Sequence, residues 1–376
     1  ANVDEANEIL TAHGEPFPYA GFMRIADKLK GRIPLRIRAV PEGTVVPTHN
    51  VLMTVESTDP ETFWIASYFE TQLMRVWYPT TVATQSWHIR KLISSYLEKS
   101  ADDPASEIAF KLHDFGSRGV SSEQSAMLGG LAHLVNFRGT DTVAALKFAR
   151  DVYGEKMAGF SIPAAEHSTI TSWGKEGEGD AYANMLKQFA KPGSLVAVVS
   201  DSYDLWNAID NLWGTRLRKQ VIDSGATVVI RPDSGNPPEV VLRALKQLDE
   251  KFGSTYNSKT FKVLNNVRVI QGDGINEDSI REILELATRN GFSASNIAFG
   301  MGGALLQQVN RDTQRFAYKA SEITIDGKRI PICKDPVTDP GKASKKGRLD
   351  LIKRNGKFMT VANDAVGTEL RTVFED

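Results

Sequence analysis

The amino-acid sequence predicts an α/β fold: an irregular β/α barrel with a flanking α/β domain built from both ends of the chain. Seven short apolar runs lie between residues 107 and 303, and most are followed by a helix-like stretch. Continuous apolar runs are typical of buried parallel strands, which need crossover helices between them. The length of 376 residues exceeds what most single cores hold, which favours a barrel with a companion domain.

The N-terminal segment, residues 1–104, is predicted to form the first part of the flanking domain. Leu35–Val40 alternates apolar and basic residues, as a half-buried strand does, and Asn50–Val55 has the composition of a second strand. Thr62–Tyr78 predicts an aromatic-rich helix. The polar stretch Asp102-Asp103-Pro104 indicates the junction with the barrel.

The barrel is predicted over residues 105–315, and the second part of the flanking domain over residues 316–376. The apolar runs predicted as barrel strands are Phe110–Phe115, His133–Gly139, Phe160–Ala165, Leu195–Ser200, Ala226–Arg231, Arg268–Gly272 and Asn296–Gly300. Charged residues, a histidine or glycines follow each run. Because chemistry in a closed barrel gathers where the strands end, we expect these residues to form an active-site rim.

Composition excludes several classes of protein. A net charge of −1 argues against a broad nucleic-acid-binding face. The single cysteine, Cys333, permits no intrachain disulfide and fits a reducing compartment. No apolar stretch approaches the length of a membrane span. We therefore expect a cytoplasmic protein with neither a nucleic-acid nor a membrane partner.

The loop Ile230–Pro237, with the sequence IRPDSGNP, is the most informative of the predicted strand ends. Asn236 can cap a helix that begins at Pro237. Ahead of it, Arg231 offers a planar fork for phosphate, and Asp233 could hold a hydroxyl or a hydrated metal ion. The alternative is an Arg–Asp pair that only orders the turn.

Two glycine turns follow the last predicted strands. Phe299–Gly303 precedes an apolar helix, and the glycines Gly302 and Gly303 would let backbone N–H groups approach a phosphate, although glycine also permits ordinary tight turns. After the preceding predicted strand, Gly272 begins a similar turn, in which Asp273 is placed to hold a ribose-type diol or a metal ion.

Other rim residues allow both a functional and a structural interpretation. His167 beside Glu166 could act as a base, an acid or a nucleophile toward phosphorus, although most histidines are structural or solvated. Asp141 could be a plain helix cap. Phe115 could be a core residue or, beside Arg118, could stack on a flat ring.

Several basic residues lie between positions 319 and 348, near the end of the chain. They are Lys319, Lys334, Lys342, Lys345, Lys346 and Arg348. Such a group is usually solvated surface, but it could also form an anion patch large enough for pyrophosphate.

Several sequence segments, taken together, resemble one enzyme family. The segments are KLHDFGSRGVSS, NFRGTDTV, PAAEHSTITSWGK, VVSDSYD, IRPDSGNP, RVIQGDG, IAFGMGG and KDPVTDP with SKKGRL. In this order, from about Val40 to Leu349, they resemble the nicotinamide phosphoribosyltransferases of the type II phosphoribosyltransferase group. The resemblance implies an irregular α/β barrel, a flanking α/β domain, and a homodimer whose active sites are shared between subunits.

The resemblance also implies roles for the rim residues. Phe115 would stack on the pyridine ring, and Asp141 would accept a hydrogen bond from its carboxamide. Arg231 would contact the ring and the sugar, while Asp233 and Asp273 would hold the ribose.

Phosphate binding is implied by the same resemblance. Gly302 and Gly303 would bind the 5′-phosphate. Cationic side chains would assist: Arg311 and Lys319 from the neighbouring subunit at the 5′-phosphate, and Arg118, Lys334 and Lys342 at the pyrophosphate. His167, supported by Glu166 and Asp201, would be phosphorylated by ATP.

The implied reaction joins nicotinamide to the phosphoribosyl group of 5-phosphoribosyl 1-pyrophosphate, with Mg²⁺ on the pyrophosphate and ATP as co-substrate, in NAD biosynthesis. The chain departs from the family at Ala197, where the animal enzymes carry a serine, and at Ser117, which replaces a tyrosine. No segment before Ala1 matches the family's longer N-terminus, whose tyrosine reaches the ring from the partner subunit.

Two alternative functions follow. One is a nicotinate or quinolinate phosphoribosyltransferase, although the carboxylate of Asp141 would repel the negative charge of such a substrate. The other, for a protein truly without the N-terminal segment, is a non-catalytic binding or signalling role.

Overall fold

The computed structural model describes residues 2–362 and 367–376, which form two compact units. One unit comprises Ala1–Val76 with Gln314–Asp376, and the other comprises Trp77–Thr313. The first boundary therefore lies before residue 77, whereas the sequence suggested one near Asp102-Asp103-Pro104. The difference is one long helix, Trp77–Ser100, whose buried residues Ile89 and Ile93 belong to the main core of the second unit.

The α-helices are α1 (Val3–His13), α2 (Tyr19–Asp27), α3 (Ile65–Tyr68), α4 (Glu70–Met74), α5 (Trp77–Ser100), α6 (Pro104–Glu107), α7 (Glu123–Leu134), α8 (Val143–Tyr153), α9 (His167–Thr171), α10 (Glu178–Phe189), α11 (Leu205–Asn207), α12 (Arg218–Ser224), α13 (Pro237–Phe252), α14 (Glu277–Arg289) and α15 (Gly303–Leu306). A π-helical segment covers Ala208–Arg216. Short 3₁₀ turns occupy Pro60–Thr62, Ile108–Phe110, Ser117–Gly119, Ala294–Asn296 and Pro340–Lys342.

The strands are β1 (Leu35–Ala39), β2 (Met53–Ser57), β3 (Leu112–Asp114), β4 (Gly139–Thr140), β5 (Leu195–Val199), β6 (Thr227–Arg231), β7 (Ser254–Tyr256), β8 (Lys262–Leu264), β9 (Val267–Gln271), β10 (Ile297–Met301), β11 (Glu322–Ile325), β12 (Lys328–Pro331), β13 (Leu349–Arg354), β14 (Lys357–Ala362) and β15 (Arg371–Glu375).

The unit built from both ends contains a three-stranded antiparallel sheet in the order β15-β1-β2, together with the hairpins β11–β12 and β13–β14. In the sheet, Ile37 of β1 lies opposite Val55 of β2 and Phe374 of β15. The single helix predicted over Thr62–Tyr78 is wrong, because the chain breaks there into α3, α4 and the start of α5. The breaks accompany an aromatic cluster, in which the Trp64 and Tyr68 rings each lie 5.0 Å from the Phe22 ring.

The second unit contains a six-stranded sheet in the order β4-β3-β10-β9-β6-β5, and every pairing in it is parallel. The segment between α8 and α9 connects its two edges. Phe160 forms a parallel bridge with Gly139 of β4, and Ala164 forms one with Ala197 of β5. The predicted α/β fold with an irregular barrel is thus confirmed.

Three of the predicted barrel strands are shorter than the sequence suggested. The Phe110–Phe115 run begins with a 3₁₀ turn, so its strand starts at Leu112. The strand predicted over His133–Gly139 is wrong for most of its length, because α7 extends to Leu134. Phe160–Ala165 makes only isolated bridges among the described residues, and Pro163 within it has no N–H to donate to a ladder.

The barrel strands divide their side chains between two apolar clusters. Val196, Val198, Val228 and other side chains of one face join the main core with the surrounding helices. The opposite face contributes a small cluster of Ala197, Val229 and Ile270, against which Phe115, Ile162 and Ala298 pack. Two of these interior residues, Ala197 and Ala298, are smaller than the branched side chains that usually fill such a barrel.

No helix within the described parts of the chain combines the length and the apolar character that crossing a membrane requires.

Candidate active site

The predicted rim residues lie just beyond the carboxyl ends of the parallel strands. Phe115 follows β3, Asp141 follows β4, Asp201 follows β5, Asp233 follows β6, Gly272 and Asp273 follow β9, and Gly302 and Gly303 follow β10. Parallel strands end on the same side of their sheet, so these residues share one edge of the barrel.

Asp201 connects the strand ends of β5 and β6 with His167. Its Oδ1 accepts a hydrogen bond from His167 Nε2 at 3.2 Å, and its Oδ2 accepts from Asp233 N at 2.9 Å and from Ser234 Oγ at 2.6 Å. The Asp201 side chain is 5% exposed and that of His167 is 41% exposed. A buried carboxylate therefore orients a solvent-accessible imidazole and fixes which of its nitrogens carries the proton.

Arg231 and Asp233 form the ion pair that the loop sequence suggested, with 2.8 Å between Arg231 Nη2 and Asp233 Oδ2. Burial alone would lower the pKa of Arg231, but its hydrogen bond and ion pair with Asp233 outweigh burial and hold that pKa above its usual value. Asp233 Oδ2 also lies 4.0 Å from His167 Nδ1. The pair thus orders its turn and also holds the Asp233 carboxylate beside the histidine.

The Phe115 ring lies between the ends of β9, β10 and β6. The Arg231 guanidinium stands 5.8 Å from the ring centroid. Gly272 is so close that an added Cβ would lie 3.6 Å from Phe115 Cε2 and 2.9 Å from Asp233 Oδ1. The ring, the cation and the carboxylate therefore form one contiguous group.

Asp141 is joined to the strand end that carries Phe115. Its backbone N–H donates to the Asp114 carbonyl at 3.0 Å, and its Oδ1 accepts from Ser161 Oγ at 2.5 Å. The N-cap residue of α8 is Thr142, and the exposed side chain of Asp141 bonds to Ser161 instead of capping that helix. The plain helix-cap interpretation of Asp141 is therefore wrong.

Asp114, which ends β3, is fully buried. Burial raises the pKa of its carboxyl group above the usual range. Its Oδ1 accepts from Gly116 N at 2.7 Å, while its Oδ2 has no hydrogen-bond partner among the described residues. Its side chain fixes the turn after Phe115, and its carbonyl holds Asp141.

The glycine turn after β10 lies against the turn that carries Arg118. Gly302 is the N-cap residue of α15, and an added Cβ on Gly303 would meet nothing within 4 Å. An added Cβ on Gly119 would lie 3.5 Å from the Gly303 Cα. Arg118, next to Gly119 in this turn, is exposed, and the space at Gly303 is open.

Other predicted residues are not joined to this group by the hydrogen bonds and ion pairs described above. Glu166 is the exposed N-cap residue of α9, and Asp273 is exposed in its turn. Arg311 pairs with its neighbour Asp312 at 2.8 Å. The lysines Lys319, Lys334 and Lys342 belong to the unit built from both ends; Lys319 Nζ donates to the Tyr318 carbonyl, and Lys342 Nζ lies 3.2 Å from Asp339 Oδ2.

Sequence reasoning missed three polar residues of the rim: Asp114, Ser161 and Ser234. Ser234 lies in the IRPDSGNP loop, so its position was a usable signal. Asp114 stands next to Phe115 at a strand end, which was also visible. Ser161 had no local signal, because its partner Asp141 lies on a separate segment, before α8.

A dedicated metal cage is not formed by this chain in the parts described: no group of three or more His, Cys, Asp and Glu side chains is placed to hold a metal ion.

Comparison with known proteins gives consistent matches. A sequence profile of the nicotinate phosphoribosyltransferase (NAPRTase) family matches residues 110–376. The chain is 60% identical over 370 residues to a nicotinamide phosphoribosyltransferase of Xanthomonas campestris pv. campestris, covering 98% of this chain and 79% of that protein. It is 34% identical over 337 residues to a Mycoplasma pneumoniae protein of the same name, covering 85% of this chain and 72% of the other.

Solved structures support the fold alone. A nicotinate-nucleotide pyrophosphorylase from Pyrococcus furiosus superposes with a TM-score of 0.56 at 16% identity, covering 91% of this chain and 74% of the other. The human nicotinic acid phosphoribosyltransferase superposes with a TM-score of 0.51 at 15% identity, covering 99% of this chain and 77% of the other. From the profile match and the identities with curated relatives, the chain belongs to the nicotinate phosphoribosyltransferase (NAPRTase) family.

Proposed function

We propose that this chain transfers the phosphoribosyl group of 5-phosphoribosyl 1-pyrophosphate to nicotinamide, giving nicotinamide mononucleotide and pyrophosphate in NAD biosynthesis. The observation that carries the proposal is an aromatic ring and a carboxylate at neighbouring strand ends, Phe115 after β3 and Asp141 after β4. A flat ring surface and a hydrogen-bond acceptor are what a pyridine carboxamide needs. The shared name of the bacterial relatives supports the same substrate.

Asp141 would select the carboxamide. Ser161 already donates to Asp141 Oδ1, so Oδ2 is left to accept from the amide N–H of nicotinamide. Nicotinate would instead bring a second negative charge to this position, which is unfavourable in a partly desolvated pocket. The arrangement therefore favours the amide over the acid.

The transfer itself makes one bond and breaks one. The C1–O bond of the ribose breaks, its electron pair leaves with pyrophosphate, and the lone pair of the pyridine nitrogen forms the new bond to C1. The sugar passes through an oxocarbenium-like transition state, which needs alignment more than proton transfer. Phe115 and Arg231 would align the ring, and Asp233 and Asp273 would hold the ribose hydroxyls.

Separate groups of residues would hold the 5′-phosphate and the pyrophosphate. Backbone N–H groups at Gly302 and Gly303 would bind the 5′-phosphate with Arg311 and Lys319, since peptide N–H groups at a glycine turn can approach an anion closely. Arg118, Lys334 and Lys342 would face the pyrophosphate. Mg²⁺ would be held mainly by pyrophosphate oxygens and water, where it neutralises the charge of the leaving group.

ATP would act through His167. Because Asp201 accepts from Nε2, the Nδ1 lone pair is left to receive a phosphoryl group, and Glu166 would assist from the start of α9. ADP would leave as Nδ1 takes the γ-phosphoryl group of ATP. Hydrolysis of the phosphohistidine to phosphate would restore His167 and add driving force to the transfer.

The assembly that fits these roles is a homodimer with shared active sites. The exposed Arg311 lies beyond the glycine turn and would serve the partner's 5′-phosphate site. We propose a cytoplasmic location, which the single cysteine and a phosphorylated sugar substrate both fit.

The test is an assay of the purified chain with 5-phosphoribosyl 1-pyrophosphate, Mg²⁺ and either nicotinamide or nicotinate, with and without ATP. We expect nicotinamide mononucleotide as the main product, a faster reaction with ATP, and an acid-labile phosphate that His167→Ala removes. A preference for nicotinate would reassign the substrate. A folded protein that turns over neither substrate would point to the non-catalytic alternative.

A further inference from the structure

The Phe115 ring lies directly against Gly300, the residue before the last in β10. A Cβ added to Gly300 would lie 2.0 Å from Phe115 Cε2, 2.2 Å from Cδ2 and 2.8 Å from Cζ. These distances are far inside van der Waals contact, so the Phe115 ring occupies the space of the missing side chain. By contrast, an added Cβ on Gly272 would lie 3.6 Å from the same ring, in ordinary contact.

The backbone does not explain the glycine. Gly300 is absent from the positive-φ positions of the described chain and lies within regular strand pairing, opposite His113 of β3. Any residue could adopt this conformation, and glycine in a strand interior weakens the strand. What requires glycine here is the ring that lies on it.

The strand's other residues show that Gly300 faces the barrel interior. Ile297, Phe299 and Met301 belong to the main core with the helices, while Ala298 packs against the interior cluster. Alternation along the strand puts Gly300 on the same side as Ala298. The Phe115 ring therefore occupies, on the interior side of β10, the space that a side chain at position 300 would fill.

We propose that Gly300 is a positioning residue for the transfer reaction. Because Gly300 has no side chain, the Phe115 ring can lie directly against its Cα, and the position of that ring in turn sets the position of the pyridine substrate. The inference rests on the proposed function for its effect on nicotinamide. Its structural part, the dependence of the Phe115 ring on Gly300, stands independently of that function.

The experiment is a double-mutant cycle with Gly300→Ala, Phe115→Ala and the double variant. Gly300→Ala should raise KM for nicotinamide about tenfold by displacing the ring, with KM for 5-phosphoribosyl 1-pyrophosphate changed less than about twofold. In the Phe115→Ala background, the same glycine substitution should change nicotinamide KM by less than about twofold, because no ring remains to be displaced.

Thermal unfolding of the four proteins gives a second readout that needs no activity. Gly300→Ala should lower Tm when Phe115 is present and leave Tm nearly unchanged when it is absent. The matched control is Phe299→Leu, one residue away on the face of β10 that packs against the helices and fully buried. It should lower Tm without changing nicotinamide KM selectively, which separates ring positioning from simple weakening of the strand.

Equal effects of Gly300→Ala in both backgrounds would overturn the proposal, as would an unchanged nicotinamide KM in a folded single variant. If Gly300→Ala does not fold, the double variant must fold for the proposal to survive. If the parent protein shows no transfer at all, the proposed function fails, and the unfolding cycle alone still decides whether Gly300 seats the ring.

Discussion

Among single residues, Asp201 links three parts of the rim. Its carboxylate accepts hydrogen bonds from His167, from the Asp233 backbone and from Ser234. The group is nearly buried, so a substitution that removed it would leave three donors without their acceptor. One side chain thereby holds His167, the backbone of Asp233 and the loop after β6 in a fixed relation.

Asp141 is expected to set the substrate preference. Asp141→Asn removes the charge at nearly constant shape, and its amide can donate to a carboxylate. The ratio of kcat/KM for nicotinamide over nicotinate should fall about tenfold or more, which corresponds to a lost charged hydrogen bond of roughly 1.5–3 kcal/mol.

The matched control for Asp141→Asn is Asp151→Asn, the same chemical change on the exposed surface of α8, where Asp151 pairs with Lys147. It should leave the ratio unchanged, since exposed pairs of this kind contribute little. An unchanged ratio in Asp141→Asn itself would show that selectivity comes from elsewhere in the pocket.

At the scale of elements, α7 shows how a buried polar residue fixes a helix against the barrel. His133 Nδ1 lies 2.9 Å from Ser86 Oγ of α5, and Nε2 lies 3.3 Å from the Gly139 carbonyl of β4. The ring also stacks on Phe137 at 5.2 Å. A neutral imidazole satisfies both partners, accepting from the serine and donating to the carbonyl. His133 of α7 thus connects α5 and α7 with the edge strand β4.

This contact predicts acid sensitivity. Burial lowers the pKa of His133 to about 4, below the value of about 6.5 expected in the unfolded chain. The unfolded state therefore binds more protons between these values, and stability should fall as pH drops from 7 toward 4. His133 alone would contribute a loss of about 2 kcal/mol at pH 5.

Urea unfolding at pH 7.5 and pH 5 measures this loss. The free energy of unfolding should differ less between the two pH values in His133→Gln than in the parent, by about 2 kcal/mol, because residue 133 no longer titrates. His88→Gln, at an exposed position of α5, should keep the parent's difference. A full pH dependence in His133→Gln would place the acid-sensitive group elsewhere.

Sequence patterns predicted the elements that depend on local composition. The runs around Val198 and Val229 became β5 and β6 because apolar β-branched residues buried on both faces have few other solutions. The run from His133 failed because apolar periodicity does not distinguish the end of a buried helix from a short strand. In the rim, strand-end positions indicated Asp201 and Asp233, whereas the Ser161–Asp141 contact arises only from folding.

At the scale of the whole molecule, one compact unit is inserted in sequence between the two segments that form the other. All strands of the barrel unit come from the continuous stretch Trp77–Thr313, while the other unit needs residues from both sides of it. Composition suggested this arrangement, but it could not locate α5. The buried apolar side chains of that helix, among them Ile89 and Ile93, pack in the main core of the barrel unit.

Shared active sites would show as complementation between defective chains. Arg311→Ala and Asp141→Ala should each lower activity strongly when alone. Co-expressed with different tags, the two chains should recover about a quarter of parent activity, because half of randomly assorted dimers are mixed and each mixed dimer has one complete site.

Purified mixed dimers, selected by both tags, give the direct measurement. Two copies of the same defective chain carrying different tags are the control, and they should stay inactive. Mixed dimers without recovered activity would show that Arg311 serves its own subunit.

The pairing of β15 with β1 has a consequence during synthesis of the chain. β1 can pair with β2 soon after both leave the ribosome, but its other edge stays open until Arg371–Glu375 has been made. At ordinary translation rates that wait is on the order of tens of seconds, long enough for the barrel stretch to fold first. A nascent chain that stops early would then carry a finished barrel beside an unpaired strand edge, which is a template for aggregation.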